Sequence, residues 1–184
     1  MRVTQTYGGQ FYISIEPLKL LPAWVYEKGV RVATTSVYRD APRIKSTTFI
    51  SQSEQERKLI AKEGVFEALL VKNGRILEGM TSNFFYIIDG VLSTAQRGIL
   101  LGVTRRTVIR AARSSGVEVR YKPLKLNQLS ALNEAFITSS SRGIVPVIQI
   151  DDVKVGRGRV GAITKRLIGA YDEYVFNKAE TIQT

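Results

Sequence analysis

Four short segments hold the residue types that could do chemistry. Lys45 stands in Pro42-Arg43-Ile44-Lys45-Ser46-Thr47-Thr48, and Glu78 opens Glu78-Gly79-Met80-Thr81-Ser82-Asn83. Gly102-Val103-Thr104-Arg105 follows, and then Thr138-Ser139-Ser140-Ser141. An amine, a carboxylate and two phosphate-sized polar loops thus occur in order, a set that suits an anionic, aldehyde-bearing ligand. A lysine made partly neutral by burial or a neighbouring cation can attack an aldehyde. A carboxylate at a hairpin edge can hydrogen-bond a ring nitrogen and keep it protonated. The start of a helix presents free N–H groups and a positive dipole end to phosphate, and Thr104 adds a hydroxyl. A run of hydroxyls is poor core material and suits a tight turn or an anion cradle. Taken singly, each segment has a plainer reading: a solvated lysine, a surface glutamate, a capped helix, a serine-rich loop.

Composition narrows the chemistry by elimination. The chain of 184 residues has no Cys and no His. Disulfides, Cys or His nucleophile systems, Ser-His-Asp triads and nearly all zinc sites are therefore excluded. Acid–base work falls to Lys, Asp, Glu, Tyr or water, which adds weight to Lys45. Lys and Arg outnumber Asp and Glu by 27 to 16, a net charge of +11. That attracts phosphates of any kind, nucleic acid included. The basic residues are scattered, however, and aromatics do not interleave with them as in single-strand binders. No apolar run approaches a membrane span, and the polar start Met1-Arg2-Val3-Thr4 lacks a secretory signal, so the expected location is cytoplasmic.

Hydropathy and turn signals give the elements that must position these residues. Strands are expected at 10–15, 29–37, 65–71, 75–78, 83–88, 91–94, 117–121, 134–138 and 144–150. Asn73-Gly74 and Asp89-Gly90 mark hairpin turns. Helices are expected over 46–62, 102–115 and 160–177, with a short one over 124–132. Asn83 is expected to brace the loop from Met80 to Ser82. The fold class is α+β and strand-rich. A linker over 18–28, holding Pro22, separates a short N-terminal piece over 1–17 from the main domain over 29–184.

In this order and context the segments resemble the fold-type IV pyridoxal-phosphate enzymes, the class IV aminotransferases. That family includes branched-chain and D-amino-acid aminotransferases and aminodeoxychorismate lyase. The likeness runs from about Lys28 to Tyr174. The stretches from Lys62-Glu63-Gly64-Val65-Phe66-Glu67-Ala68 through Phe85 and from Ile137 to Val147 are most similar to the D-amino-acid branch. The Gly-Gly-Asn-Tyr that follows the lysine in branched-chain enzymes is replaced here by Ser46-Thr47-Thr48-Phe49.

The resemblance implies the large C-terminal domain of that fold, a strand-rich pseudo-barrel with flanking helices. It implies pyridoxal 5'-phosphate as cofactor, an amino acid and a 2-oxo acid as substrates, and a homodimer or larger assembly. Lys45 would bond to the cofactor aldehyde and then shuttle a proton. Glu78 would pair with the pyridine nitrogen. Val103 and Thr104 would hold the phosphate, with Ser139 and Ser140 adding contacts. Leu100 would pack on the ring, and Ser82 and Met80 would line the loop beside it. Family members favour a small residue at the Met80 position, so a more crowded corner is expected. Family members also have a complete small domain before the linker, so the chain is expected to be an incomplete piece of such an enzyme. Two alternatives stay open: the lyase on the same fold, and a non-catalytic basic domain that binds phosphates or nucleic acid.

Overall fold

The computed structural model describes residues 2–6, 8–36 and 64–178. Lys45 and the helix expected over 46–62 lie outside these residues. Two strands, β1 (Arg2–Gln5) and β2 (Phe11–Ser14), form an antiparallel hairpin of their own. The stretch expected as a linker holds one helical element, α1 (Trp24–Lys28), anchored by the buried Val25.

The ten remaining strands make one mixed sheet. They are β3 (Val30–Thr35), β4 (Glu67–Lys72), β5 (Arg75–Gly79), β6 (Asn83–Ile88), β7 (Val91–Thr94), β8 (Val119–Tyr121), β9 (Leu124–Lys125), β10 (Glu134–Ser139), β11 (Gly143–Ile150) and β12 (Val153–Lys154). The order runs β8-β7-β6-β10-β11-β3-β4-β5-β9, with β12 on β11. A further pairing joins β5 to β6, so six strands close into a ring, β6-β10-β11-β3-β4-β5. One residue pair, Glu78 opposite Asn83, makes that closure. β3 runs parallel to β4 and to β11, while the other ring pairs are antiparallel.

Local sequence explains the tight turns. Asn73 and Gly74 sit at φ 52° and 66°, and Asp89 and Gly90 at 50° and 79°. Two consecutive positive φ values give the hairpin turn whose twist matches the strands, and Asn-Gly and Asp-Gly adopt it at low cost. The continuous run Phe84-Phe85-Tyr86-Ile87 is buried throughout, as expected for a strand covered on both faces. Phe84 and Tyr86 join one core cluster with Ala135, Ile137 and Val145. Phe85 and Ile87 join another with Phe136, Val108, Ile109, Ala112 and Leu167. Phe85 and Phe136 are paired in register, with ring centroids 4.9 Å apart.

That second cluster seats two helices on the sheet, α2 (Val103–Ser114) and α3 (Ala162–Lys178). Helix α3 begins two residues later than the pattern suggests. The Glu134 carboxylate accepts from the N–H groups of Ile163 and Thr164, at 3.1 and 2.7 Å, and fixes the first turn there. The short helix expected over 124–132 is corrected to strand β9 followed by a 3-10 helix, Leu126–Ala131. Leu124 is drawn into the sheet by pairing with Ile76, and the Leu126 N–H donates to Gly74 O. Among the described residues no helix is long and apolar enough to cross a membrane.

Candidate active site

The site is built where the ring closes. Glu78 is 2% exposed, next to last in β5. Its Oε2 accepts from the Leu100 N–H at 2.9 Å, and Asn83 Nδ2 approaches the same oxygen at 3.5 Å. Asn83 Nδ2 also donates to the Leu100 carbonyl at 2.6 Å. Two adjacent buried side chains thus grip both polar groups of one loop residue. This corrects the expected role of Asn83. It braces the approach to α2 and not the loop from Met80 to Ser82.

Leu100 in turn sets the start of α2, because its carbonyl also accepts from the Gly102 N–H at 3.0 Å. Gly102 lies under Asn83: a Cβ there would sit 2.5 Å from Asn83 Oδ1. Among the described residues no side chain caps this helix. Its first N–H groups, at Val103 and Thr104, remain available to an anion, since early helical N–H groups have no intrahelical partner. The Val103 side chain is exposed while Thr104 is buried. Arg105 is buried and donates to the Ala95 carbonyl at 2.8 Å, pinning the helix to the end of β7. Burial pushes its guanidinium below the usual range, and the nearby Tyr121 partly offsets this.

The third part is the end of β10. Thr138 lies opposite Asn83 in register and is 2% exposed. Its Oγ1 has no hydrogen-bond partner among the described residues. A buried hydroxyl left unpaired carries a real cost, so such a group usually marks a function or a missing partner. Beyond it, Ser140 and Ser141 form the exposed turn into β11, and Ser139 is half-buried.

The loop between Glu78 and Asn83 is held from beneath by Glu67. Its Oε1 accepts from the Thr81 N–H at 2.6 Å, Thr81 Oγ1 at 3.1 Å and Ser82 Oγ at 2.9 Å. Gly79 packs so closely that a Cβ would overlap Ser82 Oγ. Ser82 therefore spends its hydroxyl on the scaffold. Met80 is buried against Ala68, Leu70 and Val65. Its side chain fills an apolar pocket there. Neither Glu67 nor Arg142 stands out in the sequence as a functional residue. The available signal is an acidic residue inside the apolar run Val65 to Val71.

The family model for amino-transferase class IV matches residues 2–150. The chain belongs to the class IV aminotransferase family, and its strand-rich ring with flanking helices is the large domain of that fold. A Methanocaldococcus jannaschii relative, which carries the branched-chain-amino-acid aminotransferase name provisionally, is 37% identical over 160 residues, 80% of this chain and 54% of its own. The Escherichia coli K12 branched-chain-amino-acid aminotransferase is 32% identical over 159 residues, 82% of this chain and 52% of its own. The crystal structure of the branched-chain aminotransferase from the thermophilic archaeon Thermoproteus uzoniensis with norvaline aligns with a TM-score of 0.78 and 30% identity, covering 90% of this chain and 56% of that one. The chain spans about half the length of the curated relatives it matches.

Proposed function

We propose that this chain is the cofactor-binding half of a pyridoxal-phosphate aminotransferase that moves an amino group between a branched-chain amino acid and a 2-oxo acid. The observation that carries the reading is the buried Glu78 carboxylate, fixed by Leu100 beside a helix start that no side chain caps among the described residues. The donor set fits the cofactor. There is a buried carboxylate for a ring nitrogen, free helical N–H groups for a phosphate, and the unpaired Thr138 hydroxyl on the strand next to Asn83. The names of the relatives favour branched-chain substrates over D-amino acids or the lyase reaction.

Bound pyridoxal phosphate supplies an aldehyde and an electron-withdrawing ring. In this reading Lys45 would anchor the cofactor at that aldehyde and, as a free amine, would move a proton at the substrate Cα. Glu78, held rigid through Leu100, keeps a proton on the ring nitrogen. The N–H groups of Val103 and Thr104, with the hydroxyls of Thr104 and Ser140, bind the phosphate. Ser139 contributes mainly by holding Arg142, to which its Oγ is bonded. Leu100 offers its side chain to the ring face. The exposed apolar residues of β2, Phe11 and Ile13, and Ile15 just beyond it, support an assembly, a homodimer or larger, in which this end is covered.

The test is to treat the purified chain with pyridoxal phosphate and then borohydride, and to map the fixed adduct by peptide mass spectrometry. The label is expected on Lys45 alone. A label spread over surface lysines, or none, would sink the reading. Thr138→Val offers a second check. Removing an unpaired buried hydroxyl is expected to leave the ligand-free melting temperature unchanged or raised, while pyridoxal phosphate binding weakens. A drop in stability with unchanged affinity would show that the hydroxyl serves only the fold.

A further inference from the structure

We infer that Arg142 and Glu67 form a clamp that holds the two loops of the site in fixed relation, and so sets how tightly the phosphorylated ligand is kept. This inference rests on the function proposed above. Glu67 is 3% exposed, and its Oε2 lies 2.9 Å from Arg142 Nη1. Arg142 Nη2 donates to Thr81 Oγ1 at 2.8 Å, and its Nε donates to Ser139 Oγ at 2.9 Å. One guanidinium therefore touches β4, the loop after Glu78 and the end of β10. Its backbone carbonyl accepts from Tyr26 Oη at 3.1 Å, which adds the α1 segment, and its Cζ lies 5.4 Å from the centroid of the Phe66 ring.

The chemistry explains why this group is arginine. A planar fork can serve a carboxylate and two hydroxyls at once, where an ammonium is a single point charge. Glu67 already accepts three hydrogen bonds on one oxygen, and its buried charge needs a cation. With the fork in place, the loop carrying Thr81 and Ser82 and the turn carrying Ser139 and Ser140 cannot shift independently. Those are the segments that bracket Glu78 and Thr138. Arg142 is thus a positioning residue: each of its three guanidinium nitrogens meets a protein group.

Three variants separate positioning from bulk stability: Arg142→Lys, Arg142→Ala and the charge-free pair Glu67→Gln with Arg142→Met. Each is measured without ligand by hydrogen exchange of the peptides covering 79–82 and 139–141 and by melting temperature, and then titrated with pyridoxal phosphate for its Kd. Arg142→Lys is expected to loosen both peptides together and to raise Kd about tenfold, the low end for outer-shell partners in metal sites. The charge-free pair is expected to recover the melting temperature lost in Arg142→Ala but not the affinity. Loosening of one peptide only, or a fall in melting temperature with Kd unchanged in all three variants, overturns the clamp. A parent chain that binds no pyridoxal phosphate overturns the proposed function and the ligand-holding role with it. The exchange pattern then still decides whether the two loops are coupled.

Discussion

Glu78→Ala is expected to slow the first half-reaction with a branched-chain amino acid by about 10²- to 10³-fold, the loss seen when a preorganised electrostatic partner is removed. Two effects combine. The negative charge proposed to face the ring nitrogen disappears, and the Leu100 N–H loses its 2.9 Å acceptor, so the approach to α2 loosens. Glu78→Gln separates them. Its amide oxygen can still accept from Leu100, but the charge is gone. It is expected to lose nearly as much rate while keeping a melting temperature close to that of the parent. Single-turnover absorbance after mixing with L-leucine reads the rate. An alanine variant that turns over at the parental rate would remove Glu78 from the mechanism.

The largest stability loss is expected away from the site, at Gly156→Ala. Gly156 has φ 54° and donates its N–H to the Leu132 carbonyl at 2.9 Å. A Cβ there would overlap the backbone carbonyl oxygen of Asn133, which cannot turn aside as a side chain would. The left-handed conformation costs roughly 1–2 kcal/mol for a residue with a Cβ. Displacing the neighbouring backbone adds a comparable amount, so the total is about 3 kcal/mol. For a chain of this size that lowers the melting temperature by roughly 6–12 °C. Gly158→Ala is the control. Its φ is 66°, but the nearest atom to a Cβ is Lys154 Cδ at 3.5 Å, so only the backbone cost remains. Thermal melts of the two variants decide the matter. Equal losses would refute the steric argument.

Much of the scaffold is legible because its causes are local. Asn73-Gly74 and Asp89-Gly90 announce their turns, and the apolar face of Val108, Ile109 and Ala112 announces α2. Glu78 and the helix start at Gly102 can be read as chemistry from residue type and order. What cannot be read is what depends on meetings across the chain. Asn83 finds its carbonyl partner at Leu100, and the ring closes through Glu78 and Asn83 in a single bridge. Glu67 meets Arg142 from far along the sequence, and no periodicity signals such a pair. The stretch 124–132 reads as helical from its own residues, yet Leu124 is claimed by Ile76 in the sheet. The likeness of 62–85 and 137–147 to the D-amino-acid branch is likewise a local signal. The named relatives, matched over about four-fifths of the chain, carry branched-chain names.

The single-bridge closure between β5 and β6 has a consequence for the protein's lifetime. A ring shut by one residue pair has one place where it opens at lowest cost, and local opening of that kind is what proteases sample. The same two residues sit at the proposed cofactor site, so occupancy and closure draw on one free energy. A ligand present at about a hundred times its Kd adds about 2.7 kcal/mol against unfolding. The chain's survival would then follow the supply of its cofactor, with the unloaded form removed first and the loaded form spared.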